Sequence, residues 1–176
     1  MPNYRRAFVP GGCWFFTVNL LDRHRDLLIE HIDLLRSAVA ATRVRFPFEI
    51  DAFVVMPEHL HAVWTLPPGD ADFSTRWRLI KSRFARELSP TEQLSAVRIA
   101  NRERGIWQRR FWEHLIRDED DHARHVEYCY INTVKHRLVS RVVDWPHSSF
   151  HRDVRAGLFP SDWAGDVNSS GEFGER

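Results

Sequence analysis

Residues 48–66 constrain the fold more tightly than any other stretch of the chain. Residues 48–56 and 59–66 are two runs rich in apolar, β-branched and aromatic side chains, separated only by Pro57-Glu58. Two such runs around a tight break read as neighbouring antiparallel strands. Side chains alternate between the faces of a strand, so Leu60, Ala62 and Trp64 turn to one face, where a core wants them. His59 and His61 then turn together to the other face. Two imidazoles aimed out of one sheet face are a natural half-site for a divalent metal ion, though a structural pair has the same pattern.

The remaining elements follow from periodicity and turn residues. Residues 2–12 form an irregular arm with a Pro10-Gly11-Gly12 turn, and residues 13–20 read as a strand. Residues 31–46 place Ile32, Leu35 and Val39 near a helical period. After a loop at 67–72, a helix capped by Phe73 or Ser74 runs to about residue 88. Residues 89–105 are polar and read as a long loop, and 107–116 as a strand. Residues 118–138 read as a helix whose acidic start suits its positive end. A short helix follows over 148–156. This order predicts an α+β fold: a ferredoxin-like βαββαβ antiparallel sheet with helices on one side, plus an added C-terminal helix carrying Tyr128. A chain of 176 residues supports one domain, expected over 1–163, with a disordered acidic tail over 164–176.

Composition removes several function classes. No run of about eighteen apolar residues is present, and the N-terminus has no signal-like apolar stretch, so no membrane partner is expected. Cys13 and Cys129 are far apart and fit neither a disulfide framework nor a CxxC metal site, which suggests a reducing, cytoplasmic setting. Of 25 basic residues only Lys81 and Lys135 are lysine; the other 23 are arginine. Without the residues after Pro160 the body carries a net charge of +4. Arginine binds phosphate in a bidentate manner and stacks on bases, so this body suits nucleic acid, although GC-rich coding also enriches arginine. Arg76, Lys81 and Arg83 lie on the helix after the hairpin, and Arg109 and Arg110 on the fourth strand, all interleaved with aromatic residues.

The helix over 118–138 carries the candidate chemistry. Tyr128 and Asn132 are four residues apart and share a face, flanked by His125 and Lys135, while Val126, Tyr130 and Val134 form the packing stripe. A phenol titrates near pH 10 and is a poor nucleophile at neutrality. A metal that polarises a phosphodiester, with cations nearby, makes it a competent one.

Several segments together resemble the REP-associated tyrosine transposases of the single-tyrosine HUH endonuclease superfamily. They are Met56-Pro57-Glu58-His59-Leu60-His61, Trp107-Gln108-Arg109-Arg110-Phe111-Trp112-Glu113-His114, and the helix from Tyr128. Tyr4-Arg5-Arg6, Pro10-Gly11-Gly12, residues 15–19 and residues 145–152 match as well. The chain departs from the family's tyrosine helix at Tyr130 and Thr133, where a His and a Pro are usual. The resemblance implies that His59, His61 and Asn132 hold Mg²⁺ or Mn²⁺ and that Tyr128 attacks phosphorus. The products would be a 5′-phosphotyrosyl enzyme and a free 3′-OH. It implies a single-stranded or hairpin DNA substrate from repetitive extragenic palindromes, contacted by Arg5, Arg6, Gly11, Gly12, Arg76, Lys81, Arg83, Arg109, Arg110 and Lys135. No small-molecule cofactor is implied. Glu58 has the wrong strand phase for a general base.

Two rivals stand beside this reading. A histidine-triad nucleotide hydrolase would need a third histidine where Val63 stands. A DNA-binding regulator without cleavage would keep the same fold. A monomer is expected, with a dimer as the alternative, and the acidic tail is expected to shield the basic DNA site.

Overall fold

The computed structural model describes residues 7–90, 92, 94–167 and 173. Its frame is a four-stranded sheet of β1 (Cys13–Asn19), β2 (Glu49–Val55), β3 (His59–Thr65) and β4 (Trp112–Leu115) in the order β2-β3-β1-β4. All three pairings are antiparallel. The first strand is therefore central, and the last strand returns to pair beside it. Trp14, Phe16 and Val18 of β1 and Leu60, Ala62 and Trp64 of β3 point to one face. There they pack under α2 (Ile32–Arg45) and α3 (Phe73–Glu87), the two helices that cross between strands, while α1 (Leu27–Glu30) is a single turn before α2.

The opposite face is also covered. Phe15, Ala52, Val54 and Val63 pack against Val126, Tyr128, Cys129 and Tyr130 of α5 (Glu119–Lys135), and against Phe150 of α6 (Phe150–Arg155). The helix added to the βαββαβ order thus lies across the sheet from α2 and α3. Asp118 caps α5 by accepting from the Asp121 amide at 2.8 Å, and three acidic residues fill the first turn. With Thr133 in place of proline the helix runs unbroken to Lys135.

Local details differ from the expectations. Asp72 caps α3, accepting from the Thr75 amide at 2.9 Å, because a carboxylate outcompetes the phenyl ring of Phe73 for that role. The strand expected over 107–116 pairs only over β4. From Thr17 to Leu20 the first strand advances three positions, whereas Trp112 to Trp107 retreats five, so the ladder bulges before the lone Leu20–Trp107 bridge. The expected loop over 89–105 contains α4 (Ala96–Ala100), capped by Ser95; it buries no residue and so carries no apolar stripe. Residues 147–149 run along β2, with the Val55 amide donating to the His147 carbonyl at 2.9 Å and the Ser149 amide to the Phe53 carbonyl at 2.9 Å. They cover that sheet edge.

Candidate active site

The candidate centre lies between the α5-facing side of the sheet and α5. Strand alternation sends His61 to this side beside Thr17, its partner in register, and beside Phe15, whose ring stacks on it at 5.6 Å. His59 lies at the start of β3, 5.0 Å from His61 between ring centroids. Tyr128 approaches from α5, its ring edge-on to His61 at 5.4 Å. Asn132 follows one turn later and is fully buried. The two strand histidines and the tyrosine, predicted from separate segments, are brought together, with Asn132 one turn along the same helix as Tyr128.

The hydrogen bonds orient these groups. His59 Nδ1 pairs with Glu58 Oε1 at 2.8 Å, so that nitrogen carries the proton and Nε2 keeps its lone pair. Burial works against the Glu58 charge, yet the hydrogen bond from His59, a backbone hydrogen bond and the nearby Arg23 hold its carboxyl at about 2. The Thr17 hydroxyl donates to the Phe173 carbonyl at 2.7 Å, which leaves its oxygen to accept from His61 Nδ1 at 2.9 Å. Asn132 donates through Nδ2 to the Tyr128 carbonyl at 2.7 Å, so its Oδ1 is the free end of the amide. His59 Nε2 and Asn132 Oδ1 are both buried without a hydrogen-bond partner among the described residues. A buried imidazole nitrogen and a buried amide oxygen on neighbouring elements are donors that a divalent cation could take. With no thiolate, the set leaves room for water and phosphate oxygens, which Mg²⁺ or Mn²⁺ would need to complete its shell.

The two tyrosines of α5 are separated by environment. The Tyr130 hydroxyl is held by Asp153 in a very short hydrogen bond and by Ser149 at 3.0 Å. Burial, reinforced by Asp153, pushes its phenol well above the ordinary range, so Tyr130 is a packing residue. Tyr128 instead has the Lys135 ammonium 4.9 Å from its ring centroid. Phe173, within the segment expected to be a disordered tail, lies flat on the Tyr128 ring at 3.5 Å. Residues 168–172 and 174–176 of that tail, with Glu172 and Glu175, fall outside the described residues.

Several residues around the site were not singled out from the sequence. His136, one turn beyond Asn132, has its ring 5.0 Å from that of His59, a position that four-residue spacing on α5 would have revealed. His114 of β4 pairs with Asp121 at 2.9 Å and stacks on His125 at 4.5 Å. His125 also pairs with the Asp121 backbone carbonyl, so this group holds itself together beside Tyr128. Only the tertiary fold reveals it, because its members come from β4 and two turns of α5.

The predicted DNA contacts divide. Arg83, Arg109, Arg110 and Lys135 are exposed. Lys81 is half-buried, donating to the Gln108 carbonyl at 2.6 Å. Lys81 and Arg109 line a cleft with Arg86, Arg98, Arg102 and Arg104, and the last three were hidden in the polar segment read as a loop. Arg76 does not belong to the DNA face. It is 1% exposed, and its guanidinium is spent on Asp70, on the Asp72 carbonyl and on the carbonyls of Phe46 and Pro47. The apolar stripe of α3 rotates it inward, where Asp70 neutralises it. Gly11 adopts φ +71° and donates to the Asp70 carbonyl at 2.8 Å. A Cβ on Gly12 would lie 2.9 Å from Trp14 Nε1 and 3.0 Å from the Val9 carbonyl, so this turn demands its glycines. Arg5 and Arg6 lie outside the described residues.

Comparison with known proteins gives the following. No family model matches the chain. It is 52% identical over 174 residues to the REP-associated tyrosine transposase of Escherichia coli (strain K12), covering 98% of each protein. A solved structure of a REP-associated tyrosine transposase bound to a REP hairpin is similar at a TM-score of 0.87 and 50% identity. That match covers 100% of this chain and 98% of the other.

Proposed function

Because this chain belongs to the REP-associated tyrosine transposases, we propose that it cleaves and rejoins single-stranded DNA at REP hairpins, with Tyr128 as nucleophile. The observation that carries this reading is the pair of buried, unpartnered atoms, His59 Nε2 and Asn132 Oδ1, on the two elements that also present His61 and Tyr128.

His59, His61 and Asn132 would hold Mg²⁺ or Mn²⁺, which when bound supplies Lewis-acid stabilisation of charge developing on the scissile phosphate. Glu58 and Thr17 keep the two imidazoles in the tautomers that donate away from the centre. The Tyr128 oxygen attacks phosphorus, the phosphorus–3′ oxygen bond breaks, and the proton lost by the phenol is matched, through solvent, by one gained at the leaving 3′ oxygen. The chain is then esterified to the 5′ phosphate, and the released 3′-OH can attack the ester to reverse the step. One phosphodiester is exchanged for another, so joining needs no external energy. Lys135, over the Tyr128 ring, favours the phenolate.

The cleft lined by Lys81, Arg86, Arg98, Arg102, Arg104 and Arg109 suits the phosphates of the hairpin, with Arg83 and Arg110 nearby in the same segments. Tyr128 packs against His61 of the same chain, so one chain completes the site and a monomer suffices. The test is cleavage of a labelled single-stranded REP palindrome with Mg²⁺ or Mn²⁺. Wild type should form a covalent DNA adduct, and Tyr128→Phe should bind the hairpin without forming one. An adduct that persists in Tyr128→Phe would remove Tyr128 as nucleophile. Hairpin binding with no nicking by wild type would leave a DNA-binding regulator.

A further inference from the structure

Away from the centre just described, three donor side chains of different chemistry meet on the α5-facing side of the sheet. Cys13 begins β1, Asp51 belongs to β2, and His122 sits in the first turns of α5. The sulfur, a carboxylate oxygen and an imidazole nitrogen all lie within 4.8 Å of one another. Cys13 is four residues along β1 from Thr17, the register partner of His61, or roughly 13 Å away at strand spacing.

The backbone places Asp51 there deliberately. Pairing between β2 and β3 shifts between Ile50 and Ala52, so Asp51 is the extra residue of a bulge, and bulges re-aim a side chain. The Thr65 hydroxyl then donates to Asp51 Oδ2 at 2.9 Å. That leaves Oδ1 facing His122 Nε2 at 3.6 Å. Such a separation is too long for a hydrogen bond. It is close to the edge of a metal tetrahedron, roughly 3.4 Å for bonds of about 2.1 Å. The cluster is also reachable, since the side chains of Asp51 and His122 are 25% and 39% exposed.

We propose that Cys13, Asp51 and His122 form a binding site for a borderline-soft divalent cation, Zn²⁺ above all, with water completing the coordination. The sulfur donor sets this site apart from the centre and selects zinc over Mg²⁺ or Mn²⁺, which prefer oxygen. A bound ion would clasp the start of the tyrosine helix to two strands at once, and so serve position rather than the reaction itself.

Cobalt reports on this site directly, because a thiolate ligand gives Co²⁺ an intense charge-transfer band. Cys129, the other cysteine of the chain, is fully buried and cannot supply one. Titrating the full chain with Co²⁺ should produce the band. Cys13→Ser should abolish it, and His122→Gln should weaken binding at least tenfold. A His59→Ala/His61→Ala double variant should keep it, and Zn²⁺ should raise the Tm of that variant but not of the same variant carrying Cys13→Ser. No thiolate band in wild type, an unchanged band in Cys13→Ser, or its loss in the histidine double variant would each overturn the assignment.

Discussion

Glu58 shows how far the candidate centre depends on a residue that does not face the substrate. Its carboxylate fixes the proton on His59 Nδ1 and thereby points the Nε2 lone pair inward. Outer partners of ligating histidines typically contribute 10–100-fold in metal affinity. Glu58→Gln should therefore weaken Mn²⁺ binding by about that factor in a calorimetric titration, with the fold unchanged; equal affinity would remove Glu58 from the site. Asp121 governs stability instead. Burial opposes its charge, but hydrogen bonds from His114 and the Arg117 amide hold it down at about 2. A carboxylate depressed in this way stabilises the fold above its unfolded pKa near 4, and that contribution is lost as pH falls toward 2. The shift corresponds to roughly 2 kcal/mol at neutral pH. Asp121→Asn should lower stability by about that amount and flatten the acid limb of stability against pH, as read by urea unfolding at pH 7, 4 and 2.5. The adjacency of Glu58 and His59 was legible in the sequence, but strand phase was weighed only against Glu58 as a general base, and alternation does not apply in the turn where Glu58 lies.

At the scale of elements, α3 illustrates why a basic stripe cannot be read as a binding face from composition alone. Helical periodicity located the element correctly and still left open which arginines face solvent. Arg76 lies on the buried side with Trp77 and Ile80, tying the start of α3 to the Asp70 loop and to the end of α2. Arg76→Ala should cost roughly 3–5 kcal/mol, since it strands a carboxylate and several carbonyls. The salt dependence of hairpin binding should stay the same, because no phosphate contact is lost. A normal melting curve with a reduced salt slope would return Arg76 to the DNA face. The arginines of 98–104 make the converse case. They were unreadable because α4 buries nothing, and an amphipathic pattern needs a buried side to reveal itself.

At the scale of the molecule, Phe173, in the tail expected to shield the basic DNA site, lies on Tyr128 and takes the Thr17 hydroxyl with its carbonyl. On the proposed mechanism, DNA reaching Tyr128 would have to displace Phe173. An aromatic pair contributes about 0.5–1.5 kcal/mol, so Phe173→Ala should raise the rate of adduct formation roughly two- to tenfold. An unchanged single-turnover rate would mean that the contact does not regulate the site. What the sequence determined by itself was periodic or local: the hairpin, the shared face of His59 and His61, the pairing of Tyr128 with Asn132 along one helix, and the family. Alternation and helical pitch are properties of neighbouring residues, and they survive without a fold. What only the tertiary structure decided was which face of the sheet α5 covers, which of its tyrosines is locked by Asp153, and which arginines are spent inside. It also decided that Cys13, Asp51 and His122 meet at all. Those outcomes depend on contacts between segments far apart in the chain, where packing and the cost of burying charge choose among arrangements that local pattern leaves equivalent.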